Sequence, residues 1–123
     1  MRSLCIACMI LSVLIVAPVE AVKEISVKGV SKHTLNEAYV VFQNVGSAPL
    51  DMTGWTILDE ANHSYLVPRF ILHPGQTFTL YTGLGKNTPS ALYWGSGRSI
   101  WNKAGDTIIV KDAEGNLVLS HIY

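Results

Sequence analysis

Hydrophobic positions fall into two regimes, one continuous run at the start of the chain and then short alternating stretches to its end. Leu4 to Val16 is uncharged and mostly apolar, follows the positive Arg2, and stops at Pro18. That is the layout of an export leader. Val19 and Ala21 put small side chains where a signal peptidase reads them, so cleavage is expected between Ala21 and Val22. Spanning a bilayer takes about 20 apolar residues and Pro18 shortens this run, which leaves an uncleaved membrane anchor as the alternative. The chain then divides into a signal segment, 1–21, and one domain, 22–123.

From Val22 onward the periodicity is two. A first strand is expected over Lys23 to Val30, with Ile25, Val27 and Gly29 on one parity, and Ser31 to Asn36 forms a polar connection. Ala38 to Asn44 carries Val40 and Phe42 on one parity and Tyr39 and Val41 on the other, which suits a half-buried or fully buried strand. Gly46, Ser47 and Pro49 turn the chain into a third strand over Leu50 to Leu58, where Trp55 and Ile57 face one way and Thr56 and Leu58 the other.

Ser64 to Val67, Phe70 to Leu72, Thr77 to Thr82, Ala91 to Trp94, Ile100-Trp101, Thr107 to Lys111 and Leu117 to Tyr123 complete the strands. Between them, Asp59 to His63 is a polar hairpin loop. His73-Pro74-Gly75-Gln76 fits a type II turn, since Pro presets φ and Gly accepts a positive one. Asp112 to Asn116 has hairpin composition. Gly83 to Ser90 is the longest irregular stretch and a candidate functional loop. Turn signals about every ten residues, without helical periodicity, predict an all-β sandwich or barrel. Its core should hold Val40, Phe42, Trp55, Ile57, Leu72, Phe78, Leu80, Ile108 and Val110.

Composition narrows the function classes. Both cysteines, Cys5 and Cys8, lie in the leader, so after cleavage no disulfide, redox motif or thiolate metal site is available. A domain of about a hundred residues is long enough to bury one core without them. The net charge is zero and Lys and Arg are scattered among acids, which argues against a nucleic-acid partner.

The order Tyr39-Val40-Val41-Phe42-Gln43-Asn44, Gly46, Pro49-Leu50-Asp51, Gly54-Trp55, His73-Pro74-Gly75, Trp94-Gly95-Ser96-Gly97, Trp101-Asn102 and Gly105-Asp106-Thr107 resembles the lamin tail domain, over roughly Val22 to Tyr123. The resemblance implies an immunoglobulin-like β-sandwich of about seven to nine antiparallel strands. It also implies an interaction or tethering module, of the kind found at the ends of nuclear lamins and in exported or surface-associated prokaryotic proteins, with no activity attributed to the fold. This chain carries no coiled-coil rod and no neighbouring enzyme, so it reads as a stand-alone exported prokaryotic-type member. Four of the matching residues have structural readings. Trp55 fills the space between sheets about 10 Å apart, Gly54 permits close backbone approach beside it, and Asp106 after Gly105 accepts N–H bonds at a tight corner.

Chemistry is sparse. His33, His63, His73 and His121 lack metal-site spacing and read as solvated or capping residues, and Asp59, Glu60 and Asn62 fall short of the 6 to 8 oxygens that calcium takes. No metal or cofactor is therefore expected. Ser96 in Trp94-Gly95-Ser96-Gly97 is one glycine short of a nucleophile elbow and lacks the helix, and the carboxylates fall mainly in turns, where solvation explains them. The chain is read as a non-enzyme.

Tyr93, Trp94 and Trp101 flank a Gly-Ser-Gly-Arg loop containing Arg98, and Trp, Tyr and Arg are the residue types enriched at interface hot spots. Those four are the candidate partner-binding residues, although Trp94 and Trp101 also suit the core. Asn62-His63-Ser64 is an N-glycosylation triplet. The expected function is protein–protein interaction at the cell surface or envelope, through the Gly95 to Arg98 loop or an open edge strand, with no membrane contact once the leader is removed. The alternative is a carbohydrate-binding sandwich that stacks surface polysaccharide on Tyr93, Trp94 and Trp101, and exposed coplanar rings would mark it.

Overall fold

The computed structural model describes residues 24–31 and 38–123, so the expected leader 1–21, its cleavage point and most of the first connection lie outside the described residues. Within them the chain is all-β, with ten strands and no helix. They are β1 (Ile25–Ser31), β2 (Tyr39–Asn44), β3 (Leu50–Asp51), β4 (Thr56–Leu58), β5 (Ser64–Leu66), β6 (Ile71–Leu72), β7 (Thr77–Tyr81), β8 (Ala91–Tyr93), β9 (Thr107–Lys111) and β10 (Leu117–Ile122).

The strands form two four-stranded sheets, ordered β1-β2-β7-β8 and β10-β9-β4-β5, and a two-residue ladder between β3 and β6. Alternation positions the core. Along β2 and β7 every second side chain (Val40, Phe42, Phe78, Leu80) is buried, and the other sheet answers with Ile57, Tyr65, Ile108 and Val110. All nine expected core residues are buried, joined by Met52, Val67, Phe70 and Leu92 among others. Phe78 stacks on Phe42 at 5.1 Å and takes the edge of Phe70 at 4.9 Å, contacts worth about 0.5–1.5 kcal/mol each beyond the area they bury.

Three expectations need correction. Leu50 to Leu58 is not one strand: Trp55 N donates to Met52 O at 3.0 Å and Gly54 adopts φ 81°, so a turn separates β3 from β4 and Trp55 enters the core from its exit. Gly54 is there for that positive φ and not for close approach, because a Cβ added to it would meet only Ala113 Cβ at an ordinary 3.5 Å. Ile100-Trp101 is buried but belongs to no strand.

Pairing is antiparallel throughout except between β7 and β8, which run parallel. The chain reaches β8 through residues 82–90 and reverses direction only at the Thr88–Ala91 bridge. The expected type II turn is present, with Gln76 N donating to His73 O at 3.0 Å and Gly75 at φ 78°.

Candidate functional site

The loop between β4 and β5 is held from within. Asp59 is 2 % exposed; its Oδ1 accepts the His63 N–H at 2.8 Å and its Oδ2 meets His63 Nδ1 at 2.8 Å. Asn62, exposed at the tip with φ 72°, closes the turn by donating its N–H to Asp59 O at 3.2 Å. Asp106 then ties this loop to the far corner of the chain. Its Oδ1 accepts from Glu60 N at 3.0 Å and Thr107 N at 2.8 Å, and its Oδ2 accepts from Asn102 N at 3.0 Å. The corner reading of Gly105-Asp106 therefore holds. The solvation reading of turn carboxylates holds for exposed Asp51, Glu60 and Glu114 but fails for Asp59, Asp106 and Asp112, which are buried and accept backbone N–H groups. An ionised acceptor makes stronger bonds than a neutral one, which offsets the cost of its burial.

Facing that loop, the chain leaves β8 still paired to the end of β7. Trp94 N donates to Tyr81 O at 2.8 Å, Gly95 N to Gly83 O at 3.0 Å and Ser96 N to Thr82 O at 2.9 Å. Ser96 Oγ donates to Arg98 O at 2.6 Å and accepts from Arg98 N at 3.1 Å, an anchored turn that presents an exposed Arg98. Between the two loops lies an open groove of about 470 Å³ walled by His63, Ser64, Trp94, Ser96, Arg98 and Ile100.

Of the four expected partner-binding residues, the structure brings Trp94 and Arg98 together here. Trp101 is 4 % exposed and packs perpendicular to Trp94, at 5.9 Å and 86°. Trp94 also leans on Tyr65 at 5.7 Å, so its ring is held from two sides. Tyr93 points elsewhere: it stacks on Tyr81 at 5.0 Å and does not line the groove. No coplanar exposed set exists among these three rings, and the platform expected for sugar stacking is not met.

The Gly83 to Ser90 loop has a structural task. Thr88 exchanges backbone hydrogen bonds with Ala91, Asn87 Oδ1 accepts the Tyr93 N–H at 3.0 Å, and a Cβ on Gly85 would overlap the Tyr93 ring. The loop thus lies along β8 and covers an edge that would otherwise offer donors to another chain.

Among the described residues no such cover reaches β5, an edge of the other sheet. Asp59 N donates to His63 O and Val67 N to Trp55 O, so by ladder alternation Tyr65 bonds inward to β4 while Ser64 and Leu66 direct their N–H and C=O groups outward. No described residue hydrogen bonds to those four groups. The Leu66 side chain is 66 % exposed. Sequence reasoning did not single out this edge; the signal present was only the exposed parity of Ser64 and Leu66 beside Pro68.

A larger cleft, about 570 Å³, opens where the turns after β2, β3 and β9 meet, with Trp55 beneath it and Glu24, Asp51, Asp112 and Glu114 around it. Its best-placed carboxylates are engaged locally. Asp51 accepts from Thr53 N at 3.1 Å, and its bonds to Thr53 hold it below the usual carboxylate range. Asp112 accepts from Glu114 N and Asn116 N. The groove beside β5, with a cation on an anchored turn and a row of backbone groups that no described residue bonds, is the better candidate.

A family model described as Lamin Tail Domain matches residues 19–123 of this chain. No curated protein matches it.

Proposed function

Because the chain belongs to the lamin tail domain family, we propose that it is a non-catalytic binding or tethering module that acts outside the cytoplasm, at the cell surface or in the envelope, through contact with another protein. The groove formed by Trp94 and Arg98 beside the β5 edge, which no described residue covers, carries this reading. It joins an aromatic ring braced by Tyr65 and Trp101 to a cation on an anchored turn, and such side chains dominate interface energetics. The export-leader pattern of Leu4 to Val16 with Ala21 supports the location. Asn62, exposed at the tip of the β4–β5 loop, is the position where a glycosylating host would attach a glycan.

Cell fractionation and cross-linking in the native host test this. The expected result is protein in the extracytoplasmic fraction, cleaved after Ala21, cross-linked to a partner that is lost when Trp94→Ala and Arg98→Ala are combined. Retention in the cytoplasm, a glycan array bound through Trp94 with no protein partner, or substrate turnover would each replace the proposal.

A further inference from the structure

Four strands, β1, β8, β10 and β5, end the two large sheets. β8 is covered by the 82–90 loop, while β1 and β10 run beside each other where the sheets meet. Among the described residues nothing lies over β5 in this way, and the strand has none of the charges and prolines by which sheet edges are usually blunted, until Pro68 lies beyond its end. Its outward N–H and C=O groups at Ser64 and Leu66 are spaced as one rung of an antiparallel or parallel ladder repeats. The groove borders Ser64, so a segment laid along β5 would pass Trp94 and come within the reach of Arg98.

Resting on the interaction reading above, we propose that the β5 edge takes up an extended segment of a partner protein as an added strand, and that this segment carries an Asp or Glu recognised by Arg98. Backbone bonds to Ser64 and Leu66 supply the pairing, and alternate side chains of the segment meet Leu66 on one face and the Trp94 wall on the other. The charge of the groove sets the chemistry. Among the described residues its lining contains no carboxylate, the His63 ring nitrogen Nδ1 is engaged with Asp59, and Arg98 is a cation presented to a ligand. A second copy of this chain is a poorer occupant, because pairing β5 with itself would bring two Arg98-bearing walls together without a carboxylate between them.

The test presents the full chain to a displayed library of random peptides about eight residues long, enough for one strand. Enriched peptides should alternate apolar and polar residues and contain Asp or Glu. Arg98→Ala should weaken their binding about tenfold, as expected for a charged hydrogen bond, and Arg98→Glu should enrich Lys and Arg instead. Leu66→Pro should abolish binding while leaving the unfolding midpoint close to wild type, because the N–H that it removes bonds to no described residue. Arg98 is exposed, so its variants keep the test open should Leu66→Pro fail to fold. An absence of enriched peptides, enrichment without acidic residues, binding that persists in folded Leu66→Pro, or self-association of the full chain through this edge overturns the proposal. A surface partner that cross-links equally well to the wild type and to Leu66→Pro would sink the added strand and leave the broader interaction role standing.

Discussion

The side-chain amide of Asn44 donates to the carbonyl of Leu72 at 2.9 Å, across 28 positions of sequence, and both residues are fully buried. The same amide nitrogen donates to Ala48 O at 2.9 Å, and Asn44 Oδ1 accepts from Gly46 N at 2.9 Å. The main chain of Asn44 adds bonds to Gly75 and Gln76. One side chain at the end of β2 therefore fixes the turn that follows it and the exit of β6, without a strand pairing between them.

Asn44→Ala removes three side-chain hydrogen bonds and leaves the buried Leu72 carbonyl short of a partner away from water, while Gly46 N and Ala48 O lie nearer the surface. The expected cost is about 2–4 kcal/mol in urea unfolding, with the slope of the transition unchanged. Asn44→Asp should cost more, because it keeps the acceptor for Gly46 but turns a buried carboxylate toward two carbonyl oxygens. Equal stability of Asn44→Ala and wild type would show that the turn holds itself.

Asp106 makes a parallel case at the other end of the sandwich. Asp106→Ala strands the N–H groups of Glu60, Asn102 and Thr107 and should cost about 3 kcal/mol or more. Asp106→Asn keeps one oxygen for Glu60 and Thr107 but opposes its NH2 to the Asn102 N–H, so an intermediate loss of about 1–2 kcal/mol is expected. A loss confined to local amide exchange at Glu60, with unchanged global stability, would mean that the corner folds without its carboxylate.

The alternation of β2, β7 and β9 made the core legible from sequence, since β-branched and aromatic residues on one parity have no other stable placement. Glycine and proline turns were legible for the same local reason, as at Pro74-Gly75. What sequence could not reach depends on neighbours distant in the chain. The openness of β5 follows from sheet order and the cover over β8 from where Asn87 lands, while the burial of Asp59 and Asp106 arises because two distant loops meet. Trp94 and Arg98 were legible as residue types. Tyr93 and Trp101 were not separable from them until parity and packing set their directions.

Two explanations of Gly54 lead to opposite rankings of variants. At φ 81° a β-carbon is strained wherever it points, and Gly54→Ala should cost about 1–2 kcal/mol. Asn tolerates that region better than Ala although it is larger, so Gly54→Asn should be the milder change. The opposite order would restore close approach to Ala113 as the governing constraint.

Tyr123 places a pH limit on the fold. Burial first, and then the nearby carboxylates of Asp106, Asp59 and Glu60, push its phenol up to about 12, and its hydroxyl donates to Asn102 O at 3.1 Å. An unfolded tyrosine ionises near pH 10. Below about pH 10 both states keep the proton and this contribution is fully present. Between about 10 and 12 the unfolded chain releases a proton that the folded chain retains, so stability falls as pH rises through that window. Tyr65, raised by burial alone, acts in the same direction, so the Tyr123 share is read from a variant. Urea midpoints measured across the alkaline range should fall more steeply for wild type than for Tyr123→Phe, and tyrosinate absorbance of the folded protein should lack one late-titrating phenol in the variant. Parallel losses in the two proteins would rule out a proton held at Tyr123 as a source of alkaline sensitivity.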